Sequence, residues 1–220
     1  MNQRAATMAH LQNRVDPWGQ LHAVPDHGTL MGNRGILHGA ARTIRRQWAH
    51  KAWVICLLDF GNIKRNVFSP GNYSELFFLD EATAFAAGHR PCNFCQRDRS
   101  RLFKDSWFAE NAKGSTTTSI REVDSVLHAE RTASSKDELT YSSKIASLPT
   151  GTIFSAANQA YLVNGDRHHP WSFRGYGNPL RLPAESMVEV LTPPSIVRMY
   201  AGGLVPTLHP SSVASGGMNT

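Results

Sequence analysis

No stretch of this chain is apolar for the roughly 18–20 residues that a membrane-spanning helix needs, and only three of its 220 residues are cysteine. Its start, Met1–Arg14, is polar and has no apolar signal core, so export by a standard signal is not expected. Three is an odd number of cysteines, and Cys92 and Cys95 sit too close together for an ordinary loop-closing disulfide. A disulfide scaffold is thereby excluded, and a reducing, cytoplasmic setting is the expectation. Charged residues are scarce at 18%, whereas 17 glycines and 12 prolines interrupt the chain, which excludes a plain helical bundle and points to a turn-rich protein. The common catalytic signatures are missing too: there is no Gly-x-Ser-x-Gly, no His-Glu-x-x-His and no EF-hand loop. Gly28-Thr-Leu-Met-Gly-Asn-Arg-Gly35 has the spacing of neither a P-loop nor a dinucleotide-binding turn, and reads as a turn between short strands.

What is present begins with a basic excess, +6 overall, concentrated in one half. Residues 1–110 carry 14 Lys/Arg against 9 Asp/Glu, and within Arg34–Arg65 seven basic residues meet the single acid Asp59. Such a field attracts phosphate polymers through counterion release, without specifying a sequence. Arg34, Arg42, Arg45, Arg46, Arg97 and Arg101 are the candidate phosphate contacts, and DNA is the favoured partner over RNA.

The apolar content of 41% suffices for one sizeable core or two modest modules. Residues 1–16 and 210–220 read as loose ends. Trp53–Phe60 reads as a strand buried on both faces, turning at Gly61-Asn62 into a hairpin partner over Ile63–Phe68. Ser74–Leu79 is a strand, and Asp80 caps a helix over Glu81–Ala87 that Gly88 ends. Asp98–Asn111 is an amphipathic helix, with Phe103 and Trp107 beneath a basic side of Arg97, Arg99, Arg101 and Lys104. Gly114–Thr118 is a linker. Ile120–Arg131 is a helix with Ile120, Val123, Val126 and Leu127 as its stripe. Thr152–Ser155, Ala160–Val163 and Met187–Leu191 are strands, His168–Pro183 is a loop, and Thr192 caps a short helix with Pro193 at its first position. The fold class is α+β: a β/α module over 17–113, then a helix and a small, mainly β module over 119–209.

Arg90-Pro-Cys-Asn-Phe-Cys95 sets two thiols on one tight turn, where both sulfurs can converge on a cation at about 2.3 Å. A redox pair is the other use of this spacing, but it wants an accessible first cysteine at a helix N-terminus, and Pro91 after Gly88 suits a knuckle better. Two thiols supply half of a tetrahedral site. Cys56, in the preceding strand, is the candidate third donor. His38, in a glycine-permitted turn, is the first choice for the fourth, with His50 and His89 as alternatives. Zinc is the expected cofactor.

The flanks of the knuckle, Phe77-Phe78-Leu79-Asp80-Glu81-Ala82, then Ala86-Ala87-Gly88-His89-Arg90-Pro91-Cys92, then Cys95-Gln96-Arg97-Asp98, resemble the second half of the Ada metal-binding domain, the N-terminal module of bacterial DNA methylphosphotriester repair proteins. The resemblance covers Leu76–Asp98 and implies a small zinc module associated with DNA. It stops at one point: that family completes four thiolates with an upstream Cys-x-x-x-Cys pair, one member of which accepts the methyl group. Here Cys56 is the only other cysteine, and Phe60 stands four residues later. Methyl-acceptor chemistry and a four-thiolate site are therefore not implied.

Elsewhere, Asp124, His128 and Arg131 share one helix face at i, i+4 and i+7, an arrangement that can serve a general base and an anion. His168-His169-Pro-Trp171 can line a pocket. The leading reading is a zinc-stabilised module that binds nucleic acid. The alternative is a metal-dependent nucleic-acid hydrolase or modifying enzyme with its site between the halves, at Asp124, His128 or His168.

Overall fold

The computed structural model describes residues 10–61, 66–112, 119–132 and 140–213. Two six-stranded sheets flank a short buried helix. The strands of the first sheet are β1 (Arg14–Val15), β2 (Leu21–His22), β3 (Leu30–Asn33), β4 (Val54–Leu57), β5 (Leu76–Phe78) and β6 (Arg90–Pro91), in spatial order β2-β1-β5-β3-β4-β6. Those of the second are β7 (Tyr141–Lys144), β8 (Ile153–Ala156), β9 (Gln159–Asn164), β10 (Arg167–Ser172), β11 (Gly175–Tyr176) and β12 (Met187–Val190), in order β11-β10-β9-β8-β12-β7. Four helices accompany them among the described residues: α1 (Glu81–Ala86), α2 (Arg97–Asn111), α3 (Ile120–Ala129) and α4 (Pro194–Ala201). This is the α+β class expected from sequence.

All six residues of α1 are buried. Its small residues let both cores approach it: Ala84 and Phe85 join the first core with Val15, Ile55, Leu76 and Phe78, while Ala82 and Ala86 join the second with Ile153, Leu162 and Trp171. Asp80 caps α1 by accepting from Thr83 N at 2.8 Å. The same carboxylate accepts from Tyr176 Oη at 2.8 Å and His209 N at 3.0 Å, so one acid ties the helix to β11 and the C-terminal segment. Gly88, at φ +80°, ends the helix and turns the chain into β6. The C-terminal helix α4 packs on α2, and Ile196, Met199, Tyr200 and Leu204 complete the first core.

Several sequence expectations are corrected. The glycine-rich stretch 28–35 contains β3, an inner strand of the first sheet; a Cβ on Gly32 would run into the Val54 carbonyl and the Phe78 ring. Strand β4 is shorter than expected and is not buried on both faces, since Leu57 and Leu58 are exposed. The expected hairpin partner over 63–68 falls partly on 62–65, outside the described residues, and its remainder is not a strand. Of the expected loose start, 1–9 lie outside the described residues, but Arg14–Val15 pairs parallel with β5. Of the expected tail, Pro210–Ser212 forms a 3-10 turn packed near β11, and 214–220 lie outside, as does the linker 114–118. The expected loop 168–183 instead holds most of β10 and all of β11; Pro170, which has no N–H to donate, sits opposite Tyr161 and accepts from Gly177 N. Thr192 does not cap α4. Its Oγ1 accepts from Ile153 N at 2.8 Å, and the helix starts at Pro194 behind Pro193. In α3, Val126 is exposed, and Asp124 takes the buried place beside Val123 and Leu127.

Candidate metal centre

The third cysteine reaches the knuckle through strand pairing. β4 pairs parallel with β6 in the register Ile55↔Pro91, so the residue after each, Cys56 and Cys92, meets at the same level. Parallel neighbours need a long crossover, here supplied by β5 and α1, which places the Cys-x-x-Cys turn beside β4 and not at the far end of the sheet. The turn is fixed by three hydrogen bonds: Cys92 N to Ile55 O at 2.8 Å, Gln96 N to Cys92 O at 3.0 Å and Gln96 Nε2 to Ile55 O at 2.9 Å. Phe94, at the exposed tip, donates its N–H to Cys92 Sγ at 3.4 Å and sets its ring edge-on to Phe60.

The three sulfurs lie within 4.8 Å of one another, and no fourth His, Cys, Asp or Glu joins them among the described residues. A tetrahedral zinc with bonds of about 2.3 Å holds its sulfurs about 3.8 Å apart, so the spacing suits one shared cation. All three cysteines are free and half-buried. The hydrogen bond from Cys56 lowers the Cys92 thiol to about 5. The same bond, with burial, pushes Cys56 far above the ordinary thiol value, and burial raises Cys95. Three thiolates at this spacing repel one another unless a cation sits among them; without it, one thiolate is held by its neighbours' protons. The cluster can bind a metal ion.

His38 is not in this group. Its Nδ1 lies 2.6 Å from Ser74 Oγ and its ring stacks on Phe68 at 4.6 Å, because the 37–45 turn closes on itself through Gly39 N–Thr43 O and Arg45 N–Leu37 O. His89 is fully buried between Phe78 and Trp53 and accepts from Arg34 Nε at 3.3 Å. His50 is exposed and lies outside the group as well.

Beside the knuckle, Arg90, Asn93, Arg97, Ser100, Arg101 and Lys104 line an open groove of about 520 Å³. Arg97, Arg101 and Lys104 are exposed there. Arg101 lies 3.9 Å from Asp98, which is still more exposed, a pairing that water weakens to little. Arg90 is taken by Asp124 in a buried bidentate pair at 2.5 and 2.9 Å. Arg99, on the expected basic side of α2, is bound to Glu81. Arg42, Arg45 and Arg46 are exposed on the preceding segment, Arg42 donating to Val67 O. Arg34 is 2% exposed and lies over the Trp53 ring, so it is not a surface contact.

Asp124 does not orient His128. The acid belongs to Arg90, and His128 sits edge-on to Trp48 and Trp53, where burial lowers its pKa. His168 lies in the second sheet, its Nδ1 accepting from Leu182 N. The candidate catalytic residues thus do not converge on one site: Asp124 is held by Arg90, His128 by the tryptophans, and His168 lies in the other sheet.

Compared with models of protein families, with curated proteins and with solved structures, the chain shows no match. The site is therefore read from its own chemistry. A cavity lined by Trp18, Trp48 and Trp53 is not legible in the sequence, because its walls come from distant segments; the local signal is Gln47-Trp48 directly after Arg45-Arg46.

Proposed function

We propose that this is a zinc-stabilised nucleic-acid-binding protein in which the metal braces the surface that meets phosphate. What carries the reading is a cluster of three sulfurs at the N-terminus of α2, the helix whose exposed face bears Arg97, Arg101 and Lys104. Three soft thiolates favour zinc over a hard cation, and the resemblance of Leu76–Asp98 to the Ada metal-binding domain points the same way. The metal's role is to fix the β4–β6 edge against the start of α2, so that the groove keeps its shape. Arg42, Arg45 and Arg46 add a second exposed basic run. DNA is the first candidate among nucleic acids.

The test is binding of a fluorescent duplex and a single strand across a salt series. Arg97→Ala with Arg101→Ala should weaken binding and reduce the slope of log K against log salt by about 2. An unchanged slope and affinity would remove the groove from the interface.

A second reading is a metal-dependent hydrolase or modifying enzyme. It is favoured by the donor set, since three protein ligands leave a coordination position for water. Cleavage of DNA or RNA by the native protein, lost on Cys56→Ser, distinguishes it from a purely structural zinc.

A further inference from the structure

A second candidate site shares no lining residue with the cysteine cluster. A cavity of about 350 Å³ is walled by Trp18, Trp48 and Trp53, rimmed by Gln12, Gln20 and Gln47, and floored by Arg34. Arg34 is held rigidly: its Nη1 donates to Gly19 O at 3.0 Å, its Nε to His89 at 3.3 Å, and its Cζ lies 4.3 Å from the centre of the Trp53 ring. Its Nη2 is buried and has no hydrogen-bond partner among the described residues. That atom borders Gly19 on the cavity wall, where a Cβ would stand only 3.5 Å from it. No carboxylate pairs with Arg34 among the described residues; the nearest in effect, Asp16, is engaged by His22 Nε2 at 2.7 Å and Gln20 N at 2.9 Å. A second guanidinium, Arg131, lines the same cavity and bonds Leu191 O.

A buried cation with an open donor is costly to keep unless an anion arrives. The surrounding surface is not suited to a bare anion, since two of the tryptophans are accessible: Trp48 is 41% exposed and Trp18 is half-buried. Indole faces attract planar rings. The side chains of Gln20 and Gln47 are exposed and make no hydrogen bond among the described residues, leaving amide donors and acceptors for a ring edge.

From this combination we infer that the cavity binds a nucleotide unit, its base against Trp48 and Trp18 and its phosphate on Arg34, whether as a free mononucleotide or as one residue of a strand. The exposed run Arg45-Arg46-Gln47-Trp48 leads to its rim and suits the phosphates that flank a strand-borne nucleotide.

The test titrates the full-length protein with adenosine 5′-monophosphate, thymidine 5′-monophosphate, adenosine, inorganic phosphate and an eight-residue single strand, following indole resonances and tryptophan fluorescence. Saturable shifts of the Trp18, Trp48 and Trp53 indoles are expected, with the mononucleotide about tenfold tighter than adenosine. Trp48→Ala, at a side chain 41% exposed, should weaken binding about tenfold. Arg34→Gln should erase the preference for nucleotide over nucleoside; if that variant does not fold, Trp48→Ala and Gln47→Ala decide. Binding of the strand alone identifies a strand-borne nucleotide, and binding of both a free one. Arg97→Ala with Arg101→Ala should leave mononucleotide affinity unchanged, which separates this site from the groove. No saturable shift with any nucleotide or strand overturns the inference. So does equal affinity for inorganic phosphate, or an unaltered Kd in Trp48→Ala.

Discussion

Asp124 and Arg90 show how a single buried charge can govern a region. Both side chains are 8% exposed, and the pair joins α3 to β6, one residue before the knuckle proline. Removing one partner leaves the other charge in a dry place, so Asp124→Ala should cost about 3–5 kcal/mol in a urea titration, far more than a surface pair. A loss below about 1 kcal/mol would show that water reaches Arg90. His89 gives a second residue-scale expectation. Burial, and then the Arg34 charge, hold its pKa well below the ordinary 6.5. In the unfolded chain it takes up a proton as the pH falls through about 6.5, whereas in the folded protein it does not. Stability attributable to His89 is therefore complete above that pH and declines below it. His128, His168 and His169 are lowered in the same direction by burial and add to the slope. Denaturant midpoints measured from pH 8 to pH 5 should fall, and His89→Gln should flatten the decline.

At the scale of elements, the fold is legible in the sequence where one residue sets the geometry. Asp80 and Gly88 mark the ends of α1, and Phe103 and Trp107 mark the buried side of α2, because caps and helical spacing act within a few residues. What escaped was whatever depends on partners far along the chain. β3 looks like a glycine turn because its small residue is required by the closeness of Val54 and Phe78, segments more than twenty residues away. The same holds at the metal centre. Cys92 and Cys95 announce themselves by spacing, and Cys56 by being the remaining thiol, but its place beside Cys92 is decided by parallel pairing of β4 with β6. The glycine-permitted turn that makes His38 a candidate donor in the sequence folds it against Ser74 and Phe68. Since the β4–β6 edge is where the three sulfurs meet, chelating the metal proposed to sit there should loosen this edge first. Amide exchange of Cys92 and Gln96, whose N–H groups bond Ile55 O and Cys92 O, should speed up on chelation while β8 and β9 keep their protection. Equal acceleration in both sheets would mean that the metal holds the whole molecule.

For the whole molecule, the shared helix has a consequence for folding. α1 contributes to both cores, and α4, the last helix, completes the first. The two sheets should therefore melt together, with tryptophan fluorescence and far-ultraviolet circular dichroism tracing one coincident transition. Two separated transitions would show that each half is stable alone. Among the described residues, no helix is long and apolar enough to cross a membrane. The basic surface is likewise a property of the whole: Arg42, Arg45 and Arg46 come from one segment and Arg97, Arg101 and Lys104 from α2, and only the fold presents both as open charge while withdrawing Arg34, Arg90 and Arg99 into pairs or packing. A metal bound by the three cysteines would bear on this surface because α2 begins directly after Cys95 and Gln96. X-ray absorption at the zinc edge of protein purified under reducing conditions measures that anchor directly. A metal held by Cys56, Cys92 and Cys95 gives three sulfur neighbours at about 2.3 Å and one lighter atom, and two sulfurs in Cys56→Ser. An absorption edge with no stoichiometric metal, or a first shell without three sulfurs, would contradict it.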